Sequence, residues 1–346
     1  MKKHAIIPIF VTHEGCPFDC TFCNQNKITA HSAPLNAKEI ENTIEEWLST
    51  LTKMNLDTIE IAFFGGSFTG IPLEKQCEFL EVAKRYKDKG IVQKLHLSTR
   101  PDYINDKILI NLKNYSVDVI ELGVQSFDDE VLELSNRGYK HDIVYSSCEL
   151  IKSYGFELGI QLMIGLPEDS LEKCIYSAKE TAKIAPDLAR LYPLVVIKDT
   201  QLYEDYLNKT FKPIDLEESI FRTKEMYKII DVAGINIIRV GLKSSDIIKE
   251  NGDIAVGTFH PAFRQLVEGD IAYDIITTKL EEKLNTQNNN FIDVEIFSNN
   301  QCMSNAVGNA GRNKERLSVD YPVINFYFIV NNSLNKNEYE VNVTDI

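Results

Sequence analysis

Up to about residue 240 the chain alternates apolar, strand-like runs with amphipathic, helix-like segments. That rhythm is expected of a parallel α/β domain. The strand candidates are AIIPIFV (Ala5 to Val11), TIEIAFF (Thr58 to Phe64), VQKLHLS (Val92 to Ser98), VDVIELGV (Val117 to Val124), FELGIQLMI (Phe156 to Ile164) and ARLYPLVVI (Ala189 to Ile197). Several are nearly continuous in hydrophobicity, as strands covered on both faces are. Helical patterns fill the intervals at about residues 36–53, 72–88, 104–114, 141–154, 170–184 and 214–233, the last stopping at Gly234. INIIRVGL (Ile235 to Leu242) reads as a further extended segment.

Polar or glycine-containing words close the strands: Gly65-Gly66-Ser67, Ser98-Thr99-Arg100, Gln125-Ser126 and Gly165-Leu166-Pro167. In a barrel of parallel strands the C-terminal end is the catalytic face, so one rim collects the informative residues. The expected architecture is α/β: a partial (β/α)6 TIM-like barrel over residues 1–245, a closing or linking segment over 246–284, and a small α+β domain over 285–346. The last part is rich in asparagine and reads as short strands around one helix, with INFYFIV (Ile324 to Val330) the clearest strand.

At 346 residues and 44% hydrophobic, the chain can bury a large core. No stretch reaches the length of a membrane span, and the apolar run at the start is cut short by THEG, so neither a signal peptide nor a membrane partner is expected. A cytoplasmic, reducing compartment is the expectation. Cys77, Cys148, Cys174 and Cys302 lie far apart and read as small hydrophobes. The net charge of −14 disfavours broad attraction to nucleic acid and leaves a local basic groove open.

Against that background the run HEGCPFDCTFCNQNK stands out, because Cys16, Cys20 and Cys23 gather three thiolates within eight residues. A four-iron cluster normally takes four cysteines; three would leave one iron open for a substrate or cofactor. Zinc is the structural alternative, with His13 available as a fourth ligand.

CxxxCxxC with aromatic Phe22 before the last cysteine resembles the radical S-adenosylmethionine (SAM) enzymes, and the words that follow resemble the branch of the Elongator catalytic subunit. They are CPFDCTFCNQ (Cys16 to Gln25), FFGGSFTG (Phe63 to Gly70), STRPD (Ser98 to Asp102), ELGVQSFDDEVLELSNRGY (Glu121 to Tyr139), LMIGLPED (Leu162 to Asp169) and LYPLVVIKDTQLY (Leu191 to Tyr203). RVGL and FHPAFRQLVE (Phe259 to Glu268) extend the likeness past residue 240.

The resemblance implies that Cys16, Cys20 and Cys23 hold a [4Fe-4S] cluster whose open iron is chelated by SAM. An electron donor such as flavodoxin or ferredoxin then drives cleavage of SAM to a 5'-deoxyadenosyl radical. It also implies that Phe22 packs near adenine, that Gly65 and Gly66 meet the methionyl amino group, and that Gln125 and Arg137 surround ribose and carboxylate. A planar guanidinium suits a carboxylate. Arg100 has three readings: a SAM contact, a grip on an anionic substrate, or a salt bridge to Asp102. His260 is either an acid or ligand at the barrel end or, with Pro261 and Phe263, part of a packed segment closing the barrel. Tyr192 and Tyr203 are equally open between packing and function.

Two departures from the Elongator subunit bear on function. Its first cysteine interval is wider than the one here, and no acetyltransferase domain is expected within the 346 residues. VGNAGRNKERL (Val307 to Leu317) resembles the GxxG segment of KH domains, in which a tight loop and the following helix clamp a nucleic-acid backbone. Gly308 and Gly311 would allow close approach of phosphate, with Arg312, Lys314 and Arg316 adding charge; the alternative is a turn into a helix with solvated charges. Three function classes follow: a radical SAM enzyme acting on RNA such as tRNA, one acting on a small molecule or peptide, and a non-catalytic binding protein that keeps the cluster.

Overall fold

A computed structural model describes residues 3–11, 16, 20–24, 35–242, 254–285 and 292–345. His13 and residues 246–253 of the expected linking segment lie outside them. The chain divides into two compact units, Met1–Asp215 with Met226–Phe259 and Leu216–Glu225 with His260–Ile346.

The first unit is built on a parallel sheet of strands β1 (His4–Val11), β2 (Thr58–Gly65), β3 (Lys94–Thr99), β4 (Val119–Gln125), β5 (Glu157–Ile164), β6 (Leu188–Pro193) and β8 (Asn236–Val240), hydrogen-bonded in that order. The expected partial barrel is therefore present, and the extended segment at 235–242 adds a seventh parallel strand to the six anticipated. The run ARLYPLVVI does not stay in one strand. After Pro193 it leaves the main sheet, and β7 (Val195–Ile197) pairs antiparallel with β9 (Ile254–Gly257).

Helices α1 (Ala37–Leu51), α2 (Leu73–Asp88), α3 (Asp106–Asn114), α5 (Asp142–Ser153) and α6 (Leu171–Ile184) connect successive strands near the expected positions. Their starts are chemically marked. Asn36 forms a capping box with Glu39, and Asn105 and Ser170 accept the amides of Ile108 and Lys173. Two short helices, α4 (Asp129–Leu134) and α7 (Gln201–Leu207), stand beside the strand ends, and α8 (Leu216–Val232) lies near the last of the expected helices.

The two faces of the sheet differ more than near-continuous hydrophobicity suggested. On one face Leu95 and Leu97, Ile120 and Leu122, and Leu158 and Ile160 are buried. On the other, Glu60, His96, Glu121 and Arg190 from four strands are also buried, and they form an ion-paired row. His96 Nδ1 is 2.5 Å from Glu60 Oε1 and its Nε2 is 2.9 Å from Glu121 Oε2. Arg190 Nε stands in ion-pair contact 2.5 Å from Glu121 Oε1, and Gln161 Nε2 donates to that oxygen at 2.7 Å. Half-exposed His4 reaches Glu60 at 2.9 Å and ends the row. Gly159, directly across from Glu121 in the register, makes room for it, since a Cβ there would lie 2.7 Å from Glu121 Cγ.

The second unit packs α9 (Phe263–Leu284), α10 (Met303–Val307) and α11 (Arg312–Asp320) against a sheet in the order β11 (Asn325–Val330), β10 (Ile292–Ser298), β12 (Tyr339–Asp345). β10 runs parallel to β11 and antiparallel to β12. The α9 region was expected as a linking segment. Instead its Ala272, Ile276 and Leu280 share one buried cluster with Val294, Ile296, Leu317 and Val341. At about 1.5–3 kcal/mol for each fully buried aliphatic side chain, that face ties α9 to this unit. Two helices meet at the GNAG turn where one helix was expected.

The ion-paired row makes stability depend on pH. Burial alone would lower the His96 pKa, yet hydrogen bonds to Glu121 and Glu60 carry it from 6.5 to about 9. Its contribution is complete below 6.5 and is lost as pH rises through about 9. Glu60 and Glu121 are opposed by burial but held below 4.5, Glu60 by His96 and Glu121 by Arg190 and His96, so their contribution is lost on acidification. Replacing His96 by Gln should cost about 3–5 kcal/mol at neutral pH. In thermal melts the gap between wild type and His96→Gln should narrow from about pH 7 to about pH 10; a constant gap would count against the ionic account.

Candidate active site at the strand ends

The C-terminal ends of β1 to β4 are joined by contacts that shape one cavity. Gly65 adopts φ +107°, and a Cβ there would meet Val11 O at 2.6 Å. The amide of Gly66 donates to the same oxygen at 2.8 Å. Glycine at 65 thus lets the end of β2 press against the end of β1, from which the chain runs toward the cysteines. Thr99 joins the next pair of ends: its Oγ1 is 2.8 Å from Ser67 Oγ and 2.6 Å from Thr69 Oγ1. Gln125 ends β4 at an irregularity in the register, with φ +71°. A non-glycine residue in that region stores backbone strain of the kind found at functional sites.

The cysteine loop is braced from the side. Thr21 N donates to Ser135 O at the end of α4, and Leu202 N in α7 donates to Thr21 O at 2.8 Å. Cys23 N closes a turn onto Cys20 O at 3.0 Å. Phe22 packs against a cluster containing Val131, Leu166, Val196 and Leu202 while also bordering the cavity.

Cys16, Cys20 and Cys23 face the same cavity as Phe22, Gly65, Gly66, Arg100, Gln125 and Arg137. The fold thus brings together the nine positions singled out for cluster and SAM. Among the described residues no three Cys, His, Asp or Glu side chains are grouped to share one metal ion; the three thiols border a cavity instead.

The two arginines have distinct partners. Arg100 forks onto Asp102, with Nε to Oδ1 and Nη2 to Oδ2 both at 2.9 Å, and also donates to Arg137 O. That geometry realises the salt-bridge reading of Arg100. Arg137 is buried, donating from Nη2 to Gly123 O at 2.5 Å and to Tyr139 OH at 3.0 Å. Its Nη1 lies 3.3 Å from Cys20 Sγ.

His260 belongs to the second unit, where its Nδ1 accepts the amide of Ala262 at 3.1 Å and its carbonyl that of Phe263. These contacts start α9 within the second unit. In the same unit Gly308 and Gly311 have φ +80° and +85° around a single turn between α10 and α11. A Cβ on Gly308 would lie 2.6 Å from Asn313 N, whereas one on Gly311 meets nothing within 4 Å. Arg312 pairs with Glu217 and Arg316 with Asp270, so both charges are engaged within the unit. Lys314 borders a groove with Val307, Glu295 and the edge strand residues Phe326 to Ile329.

Ser67, Ser98, Thr99, Gly123 and Gln161 also line the first unit's cavity and were not singled out as site residues. Their signal was position: each sits within, or just past, the last residues of a strand. Tyr192 accepts from Arg190 Nη1 at 3.2 Å, and Tyr203 packs in the cluster beneath Phe22. Of the separated cysteines, Cys148, Cys174 and Cys302 are buried, and Cys77 is half-buried beside Asn111. No described helix is long and apolar enough to cross a membrane.

The family model of the radical SAM superfamily matches residues 10–179, and that of the radical SAM C-terminal domain matches residues 186–272. The chain belongs to the radical SAM superfamily, whose enzymes use a [4Fe-4S] cluster and SAM. It is homologous to the radical SAM region of Elongator-type proteins. It is 31% identical over 184 residues to a tRNA uridine(34) acetyltransferase of Methanocaldococcus infernus, covering 47% of this chain and 34% of that protein. Elongator complex protein 3 of Homo sapiens is 29% identical over 191 residues, covering 49% and 35%. The solved archaeal Methanocaldococcus infernus Elp3 with an N-terminal deletion shares the fold, with a TM-score of 0.61 at 22% identity over 83% of this chain and 64% of that one. The chain spans about a third of the length of these two curated relatives.

The residues present fit that cofactor pair. Three thiols face the cavity, Arg137 supplies a buried cation beside Cys20, and Gln125 Oε1 is a buried acceptor with no donor among the described residues. A ligand hydroxyl or amine would satisfy it. Gly65→Ala should weaken the whole arrangement, because φ +107° and the 2.6 Å approach to Val11 O both exclude a Cβ. We expect a loss of about 1–3 kcal/mol in anaerobic thermal denaturation, with iron content per chain falling after reconstitution. Wild-type stability and iron content would contradict the role given to this joint.

Proposed function

We propose that this chain is a cytoplasmic radical SAM enzyme that modifies RNA, with tRNA as the substrate class, and that it draws electrons from a donor such as flavodoxin or ferredoxin. The observation that carries the enzymatic part is the meeting of Cys16, Cys20 and Cys23 with Gln125 and Arg137 around one cavity. When bound, the cluster and SAM supply reductive cleavage to methionine and a 5'-deoxyadenosyl radical.

The protein's own part is to bind and orient. Gly65 and Gly66 present bare backbone to the cavity, a surface that a methionyl amino group can approach. Gln125 offers its buried oxygen to a hydroxyl such as those of ribose, and the cavity-facing side of Arg137 suits a carboxylate. Phe22 supplies a flat apolar wall for adenine. Arg100 holds the strand end through Asp102 and the Arg137 carbonyl.

The RNA reading is supported by the relatives' printed activity toward tRNA and by the second unit. There, a helix, the GNAG turn and a second helix stand beside an apolar groove bordered by Lys314 and Phe326. KH domains place a nucleic-acid backbone on such a turn. Gly311 leaves its side open to phosphate. With Arg312 and Arg316 engaged by Glu217 and Asp270, Lys314 is the cation assigned to phosphate.

Anaerobic reconstitution followed by SAM cleavage, with and without bulk small RNA, tests the reading. Stimulation by RNA is expected, and cleavage indifferent to RNA by a protein that retains none would favour a small-molecule or peptide substrate. Ala310, at φ +52°, is a position where Asp is tolerated. Ala310→Asp and Lys314→Glu should each weaken RNA binding without changing iron content, and Lys314→Glu should lower the salt slope by about one. Unchanged binding in both would remove the GNAG turn from the interface.

A further inference from the structure

We propose that Arg137 acts on the cluster side of the site, as a charged hydrogen-bond donor to the Cys20 thiolate that raises the reduction potential of the cluster; this rests on the reading that Cys20 is a cluster ligand. Nη1 of Arg137 is 3.3 Å from Cys20 Sγ, a distance at which N–H donates to sulfur. The contact is built rather than incidental. Arg137 and Cys20 are both buried, and four of the five guanidinium N–H groups are directed at Gly123 O, Tyr139 OH and Cys20 Sγ. Tyr139 OH in turn is within 3.1 Å of the carbonyls of Gly123 and Val124. The Arg137 carbonyl is held by Arg100, which is fixed on Asp102.

This clamp leaves the guanidinium little freedom to turn wholly toward a ligand. It keeps a full positive charge beside one thiolate, with both side chains buried, where charge interactions are stronger than at the surface. Hydrogen bonds to ligand sulfurs and nearby charge are among the levers that set cluster potentials. Reduction adds one electron from the external donor and makes the cluster more negative. A fixed cation and donor favour that state, so removing them shifts the potential downward. Arg137 is therefore a positioning and tuning residue, and contact with SAM is a separate property of its cavity-facing edge.

The test is a potentiometric EPR titration of the reconstituted full chain without SAM, so that loss of a SAM contact cannot enter. Arg137→Met and Arg137→Gln should show, at the wild-type midpoint, at least a tenfold lower ratio of reduced to oxidised cluster. For a one-electron couple that is a negative shift of about 59 mV. Arg137→Lys, which keeps charge and loses the fork, should fall between. Neutral variants with full iron content and a wild-type midpoint would overturn the proposal, whatever their affinity for SAM. If neither neutral variant loads iron, Arg137→Lys decides: a midpoint below wild type supports the tuning role and an unchanged one rejects it. Failure of wild type to assemble a cluster would instead reject the cluster reading itself.

Discussion

The buried ionic row from His4 through Glu60, His96 and Glu121 to Arg190 is the constraint on which the register of the main sheet depends. A strand slipped by one residue exchanges its faces. Here a slip would drive a carboxylate or a guanidinium into the Ile and Leu layer beneath the helices, where an unpaired charge costs several kcal/mol. Hydrophobic burial makes the sheet stable; the row makes one alignment of it acceptable. Once that alignment is set, the last residues of successive strands fall at one rim. Ser98, Gly123 and Gln161 reach the cavity from the same face that carries the charges.

The chemistry at the rim follows from backbone as much as from side chains. Gly65 allows a close strand-to-strand approach, Gln125 holds a left-handed conformation, and Thr99 ties the end of β3 to the loop after β2 with one hydroxyl. The cysteines hang from this frame through Ser135 and Leu202. Three thiols, a guanidinium and the buried amide oxygen of Gln125 are thereby delivered to one space by segments distant in sequence. The second unit is a separate problem in recognition. Its GNAG turn is held by the close fit of Gly308 to Asn313, whose side chain donates to Gly269 O at 2.7 Å and Asn305 O at 2.9 Å.

Much of this was legible in the sequence, because the strong signals are local. Apolar runs, capping residues such as Asn36 and Ser170, and the glycines after strands mark elements without reference to the rest of the fold. The cysteine spacing and the words shared with the radical SAM family name the cavity's lining in chain order. What escaped is non-local. Glu60, His96 and Glu121 stand at the third, fifth and fifth positions of TIEIAFF, VQKLHLS and VDVIELGV, and only the register shows that they pair. α7 is short and its apolar Leu202 and Tyr203 make sense only beneath Phe22. The ARLYPLVVI run hid a change of sheet after Pro193, since its hydrophobicity is continuous across the break. Arg312 and Arg316 read as free charges because Glu217 and Asp270 lie far away along the chain.

The role proposed for Cys16, Cys20 and Cys23 is to hold a four-iron cluster with one iron open to SAM. It is tested most directly by EPR of the reduced, reconstituted protein before and after addition of SAM. The expected result is a cluster signal that disappears in a Cys16, Cys20, Cys23 triple Ala variant, and that changes shape when SAM binds wild type. A wild-type signal that SAM leaves unaltered at saturating concentration, or a cluster that survives loss of all three cysteines, would contradict it.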